Sequence, residues 1–192
     1  MDEQQAIALL KQGDLTGLEF LVQQYQVKAV HTAYLIVGDI ALAEDVTQTV
    51  FLRVVQRIGQ FDVQRSFQPW FLKAVVNDSI KAAKRQKRAV SLDEPSKAVL
   101  NWLLDTSPEP EELAETNDLR QAVWNALQQL APEQRAVIVQ RHFFDMGEAE
   151  MVEKLHRPAS TIKWWLYKAR ERLKTILDIS HNEIAGENHE ER

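Results

Sequence analysis

Apolar residues recur at three- and four-residue steps along almost the whole chain, and no stretch alternates apolar and polar residues long enough to build a sheet. The expected fold class is therefore all-α. A short first helix near residues 3–11 is punctuated by Gly13 and Asp14, a second covers about 15–37 until "VGD" at 37–39 stops it, and a third covers about 40–58. The loop "GQFDVQRS" (59–66) precedes a fourth, from about 67 to 88. Composition then changes: between Ser91 and Asp118 stand Pro95, Pro108, Pro110 and eight acids against the single Lys97, the pattern of an acidic linker. The reading is two small helical domains, 1–90 and 111–178, joined through 91–110 and followed by a polar tail at 179–192 expected to be loose.

In the second domain a helix runs through Leu130, and "APEQ" interrupts it, with Pro132 suited to the first turn of the next helix, which should end near Asp145. A short helix of about 147–155 meets "HRPAS", and Pro158 opens a last helix of about 158–178. A short helix, a tight turn and a longer basic helix form the layout of a helix-turn-helix, whose second helix enters a DNA major groove.

Three helices sort their residues by face at about 100° per residue. In the last, Ile162, Leu166, Ala169, Leu173 and Leu177 form the core stripe, with Trp165 at its edge and Trp164 nearly opposite, beside Ser160, Tyr167 and Lys168. Trp165 is thus expected to edge the core, whereas Trp164, with Lys163, projects where groove contacts are made. In 67–88, Trp70, Lys73, Asn77, Lys81, Lys84 and Arg88 form one polar, cationic stripe opposite Phe71, Leu72, Val75, Val76, Ala82 and Ala83. With Asp78 as the one acid nearby, repulsion among these cations is expected to be unrelieved until phosphates arrive, which makes binding steeply salt-dependent. The third helix buries Ala43, Val50, Phe51, Val54 and Ile58 and turns Glu44, Asp45, Gln48, Thr49, Leu52 and Gln56 outward, a surface on which another helix could dock.

A net charge of -5 would argue against nucleic acid, but the charge is unevenly spread: 81–88 holds +5 and 160–174 holds +4, leaving -14 for the rest. The absence of cysteine excludes disulfides and thiolate metal sites and fits a reducing compartment, with cytoplasm expected. The acidic N-terminus lacks the basic start of a signal peptide, and no apolar run approaches the roughly 20 residues needed to span a bilayer, so no membrane insertion is expected. The glycines are isolated, which leaves no phosphate loop, and the five histidines show no HExxH spacing. No metal, cofactor or enzymatic activity is expected.

In this order, "AEDVTQTVFLRV" (43–54), "SFQPWFLKAVVNDSIKAAKRQKR" (66–88), "LRQAVWNALQQLAPEQRAVIVQRHFF" and "STIKWWLYKARERLK" (160–174) resemble the sigma-70 family of bacterial transcription initiation factors, in particular its compact extracytoplasmic-function group. The resemblance covers about residues 4–178 and implies a factor that binds core RNA polymerase and directs it to promoters. Asp45, Gln48, Phe51 and Leu52 then match the surface that docks on the clamp helices of the beta-prime subunit. Phe67, Trp70 and Asn77 match the helix for the minus-ten element, on which Lys73, Lys81, Lys84 and Arg88 also fall, with 59–66 placed where a base flipped from the non-template strand is held. Ser160, Thr161, Lys163, Trp164, Tyr167 and Lys168 fall on the helix for the minus-thirty-five element. Implied partners are core polymerase, through the beta-prime clamp helices and the beta flap, promoter DNA and an anti-sigma factor. The sequence departs from the group at Trp164 and Trp165, where a small polar residue and an arginine are usual, at Lys81, where an acid is usual, and at His156, where a glycine is common. Two alternatives stay open: a standalone helix-turn-helix regulator, and a sigma-like interaction protein with weakened upstream DNA binding.

Overall fold

The computed structural model describes residues 1–86 and 113–187, with side chains over 1–86 and 121–177. The chain folds as two compact units, Met1–Ser91 and Leu92–Arg192. Every regular element among the described residues is helical.

The first unit contains α1 (Glu3–Lys11), α2 (Thr16–Val37), α3 (Ile40–Arg57), a 3-10 turn (Ile58–Gln60) and α4 (Phe67–Gln86). Asp2 opens α1: its carboxylate accepts from the Gln5 backbone N–H at 2.8 Å, while the Gln5 side chain accepts from the Asp2 N–H at 3.1 Å, a reciprocal cap. The "VGD" stop works through two residues. Gly38 takes the left-handed conformation, φ 81°, that ends α2, and Asp39 caps α3 by accepting from the Leu42 N–H at 2.9 Å. The same Asp39 accepts from Gln86 Nε2 at 3.2 Å, so the end of α4 is tied to the start of α3.

Packing follows the predicted faces. Phe71 lies at the centre of an aromatic cluster, its ring 4.7 Å from Phe51, 5.6 Å from Phe67 and 5.8 Å from Tyr25. Gly17 lets α1 lie directly on α2, because a Cβ there would stand 2.1 Å from the Ala6 carbonyl oxygen. The Tyr25 hydroxyl donates to Glu3 and joins the same two helices; burial, and then this bond, push its ionisation well above the ordinary phenol range.

The second unit contains α5 (Leu113–Gln128), α6 (Pro132–Phe143), α7 (Glu148–Leu155) and α8 (Ala159–Glu187). Pro132 begins α6, where a missing N–H costs nothing. Trp124, Leu130, Val137, Met151, Ile162 and Leu166 are buried together in the core. Arg135 is buried with them, and its guanidinium donates to Gln128 Oε1; desolvation pulls its pKa down to about 10. His156 ends α7 with φ 51°, a left-handed residue that suits glycine better. One expectation fails here. The last helix does not give way to a loose tail at 179 but continues to Glu187, through "DISHNEIAG", which contains no proline to stop it. The expected acidic linker lies outside the described residues.

Candidate functional site

On α3 the inward row of Ala43, Val46, Val50 and Val54 fixes the helix on the core, which leaves Asp45, Gln48 and Leu52 outward. Leu52 is 65% exposed amid these polar groups. Phe51 does not belong to this surface. It is buried against Phe71, because at 100° per residue its side chain points with Val50 and Val54, so it supports the exposed face from beneath.

On α4, Phe67, Phe71, Val75 and Ser79 point inward, and the polar stripe lies toward α3 and solvent. Between the two helices is a groove of about 270 Å³, lined by Trp70, Lys73, Asn77 and Lys81 from α4 and by Arg53 and Arg57 from α3. Trp70 is half-buried, with its ring 5.1 Å from Phe61 and 5.6 Å from Phe67, so it forms one end of the groove on a rigid aromatic base. The cations are not left to repel one another, as the sequence suggested. Asp78 pairs with Arg53 across the helices and with Lys81 at 3.2 Å along α4. Lys84 is exposed one turn beyond Lys81, and Arg88 lies outside the described residues.

On α8, Ile162, Leu166 and Ala169 are buried, Trp165 is half-buried at their edge, and Trp164 and Tyr167 are 54% and 56% exposed. Ser160, Lys163 and Lys168 share the exposed side, with Thr161 partly covered. Glu171 organises this surface. It accepts from the Tyr167 hydroxyl at 2.5 Å and from Lys168 Nζ at 3.0 Å, and these two bonds, in that order, lower its own pKa. The same contacts raise the Tyr167 and Lys168 values, so all three hold one charge state across neutral pH. Lys163 stands 3.9 Å from Glu148 of α7, an exposed ion pair between the two helices.

The sequence faces missed Arg53, Arg57 and Lys11. Arg53 and Arg57 sit one turn apart after Thr49, a row that an inward-outward sorting of α3 leaves between its two faces. Lys11 donates to the Phe61 carbonyl at 2.8 Å across fifty residues of sequence, and no local pattern signals such a contact. Among the described residues no three acids or histidines gather where a metal could be held, and no helix is long and apolar enough to cross a membrane.

Comparison with known proteins gives two matches inside the chain. The family model of sigma-70 region 2 matches residues 21–89 and that of sigma-70 region 4 matches 120–173, together more than half of the sequence. The chain is 25% identical over 176 residues to the ECF RNA polymerase sigma factor SigW of Bacillus subtilis, covering 89% of this chain and 94% of that one. It is 24% identical over 178 residues to the ECF RNA polymerase sigma-E factor of Escherichia coli, covering 89% and 92%. Its fold is similar to CnrH, solved in complex with the cytosolic domain of CnrY, with a TM-score of 0.59 at 18% identity over 92% of this chain and 97% of that one. It is also similar to the sigma factor RpoE of Bartonella quintana, solved with the anti-sigma factor NepR, with a TM-score of 0.60 at 16% identity over 84% and 96%.

Proposed function

The chain belongs to the sigma-70 family, and from that premise we propose how it divides the work of promoter recognition among its surfaces. Asp45, Gln48 and Leu52 of α3 dock on the clamp helices of core polymerase, with Phe51 holding their helix in place. The α3–α4 groove takes the minus-ten element: Lys73, Lys81 and Lys84 attract the backbone, and Trp70 and Asn77 meet the opened strand. The 59–66 loop holds a flipped base, whose unstacking costs a few kcal/mol that stacking and hydrogen bonds to the single strand must offset. Ser160, Thr161, Lys163, Trp164, Tyr167 and Lys168 of α8 approach the minus-thirty-five element from the major groove. RNA synthesis itself belongs to the polymerase, so the factor acts in the cytoplasm with it.

The observation that carries this reading is the pairing, within one compact unit, of an exposed acidic and leucine face on α3 with a cation-lined groove against α4. A standalone regulator has use for the second but not for the first. The two structural relatives solved with CnrY and NepR support an anti-sigma partner for this chain as well. Mixing purified protein with core polymerase tests the proposal. Co-elution and initiation from a shared promoter pattern in a genomic library are expected; failure of both discards it.

A further inference from the structure

The loop after the 3-10 turn is closed on itself. Asp62 accepts through its side chain from the Gln64 N–H at 3.0 Å and through its carbonyl from the Arg65 N–H at 3.0 Å, and its carboxylate lies 3.6 Å from the Arg65 guanidinium. Val63, Gln64, Arg65 and Ser66 are all exposed. These local bonds set the shape of the turn but not its attitude to the rest of the unit. Attitude is set where the loop begins, at Phe61, and where it ends, at the buried Phe67. At Phe61 the buried ring lies edge-on to Phe67 at 5.7 Å and 5.1 Å from Trp70, the N–H donates to the Ile58 carbonyl at 3.0 Å, and the carbonyl accepts from Lys11 Nζ at 2.8 Å.

Lys11 is the last residue of α1, and α1 is itself immobilised. Its backbone lies against α2 at Gly17, and the Tyr25–Glu3 bond pins its first turn. The ring contacts and the bond to the Ile58 carbonyl hold the start of the loop to α4 and the 3-10 turn. The ammonium-to-carbonyl bond, charge-assisted and therefore stronger than a neutral one, adds the tie to α1.

We propose that Lys11 is a positioning residue for promoter recognition: it braces the 61–66 loop from α1 and so fixes where Val63, Gln64, Arg65 and Ser66 stand relative to Trp70 and Asn77. The inference rests on the reading that this loop meets a base drawn out of the non-template strand. Displacement of about 1 Å is enough to cost an oriented contact most of its value. The brace therefore acts on discrimination at one base rather than on assembly with polymerase.

Lys11→Met keeps the apolar stem and removes the donor, while Lys11→Arg keeps a donor. Each full-length variant is assembled with core polymerase, and initiation is compared on promoter pairs that differ only at the flipped base. Lys11→Met is expected to lower discrimination between the preferred and disfavoured base about tenfold, with core affinity within twofold of the parent, and Lys11→Arg to recover at least half of the loss. Unchanged discrimination in Lys11→Met overturns the proposal, and so does a uniform drop on all promoters that tracks a drop in core affinity or thermal stability. Failure of the parent reading is seen separately, as an unaltered factor that does not bind core at all, and overturns both.

Discussion

Trp164 and Trp165 are adjacent in sequence and opposite in physical role, because one residue of α-helix turns a side chain through about 100°. Trp165 shields the edge of the Ile162–Leu166–Ala169 stripe, and Trp164 leaves more than half of its surface in water. Trp165→Ala should cost the second unit about 1–3 kcal/mol, and Trp164→Ala less than about 0.5 kcal/mol, by thermal unfolding. Affinity for duplex containing the upstream element should fall with Trp164→Ala; equal affinity in parent and variant would remove Trp164 from the DNA surface. His31 carries a second consequence, in pH. Its burial in α2 holds its pKa down at about 4, against 6.5 in the unfolded chain. Above pH 6.5 neither state is charged and His31 is silent. As pH falls from 6.5 toward 4 the unfolded chain takes up a proton that the folded one refuses, so stability is lost on acidification. Since the ring is only partly buried, about 1–2 kcal/mol is expected rather than the full value of the shift. His31→Gln should flatten the melting temperature of the first unit between pH 7 and 5, and parallel curves for parent and variant would count against this assignment.

Asp78 shows how one carboxylate sets the character of a helix pair. It is largely covered, it holds Arg53 of α3, and it occupies Lys81 at the centre of the cationic stripe. Removing its charge has two opposed effects. Asp78→Asn should lower stability by about 1–2 kcal/mol, because Arg53 loses its partner in a half-buried setting. It should also free Lys81 and Arg53 for phosphate, which steepens log affinity against log salt by about one to two units, at roughly 0.7–0.9 per phosphate contact. A salt slope equal to that of the parent would mean that these cations never reach the backbone. Why the sequence concealed this pair is instructive. The stripe on α4 was legible as a helical face, as were the stop at "VGD" and the start at Pro132, because each depends on residues within a turn of one another. Arg53–Asp78 and Lys11–Phe61 join residues 25 and 50 positions apart, and only the packing angle between helices decides them. Phe51 is a different case: its family match suggested a surface contact, while its helical phase already put it among Val50 and Val54 on the buried side. The end of α8 is different again: a polar composition reads as a tail although it contains no proline to stop the helix.

Each unit carries its own core and, in the proposed function, its own DNA-facing helix. In the proposed function the chain connection between them acts through concentration. On that proposal, a second unit tethered to a polymerase-bound first unit samples its target at an effective concentration that short linkers commonly bring into the millimolar range. A helix face built on Lys163, Trp164, Tyr167 and Lys168, with two of its four groups already engaged by Glu171, offers few free contacts, so the second unit should bind weakly unless tethered. Placing a specific protease site in the connection and cutting the purified full-length factor separates the two ideas. Two unfolding transitions should survive the cut with unchanged midpoints, because each core is intact. Holoenzyme made from the cut factor should still co-elute with the first unit and still respond to changes in the minus-ten element. Its response to changes in the minus-thirty-five element should fall at least tenfold. Retention of the full upstream response after cutting would mean that the second unit is held in place by its own contacts with polymerase, and that the tether contributes chain connectivity without affinity.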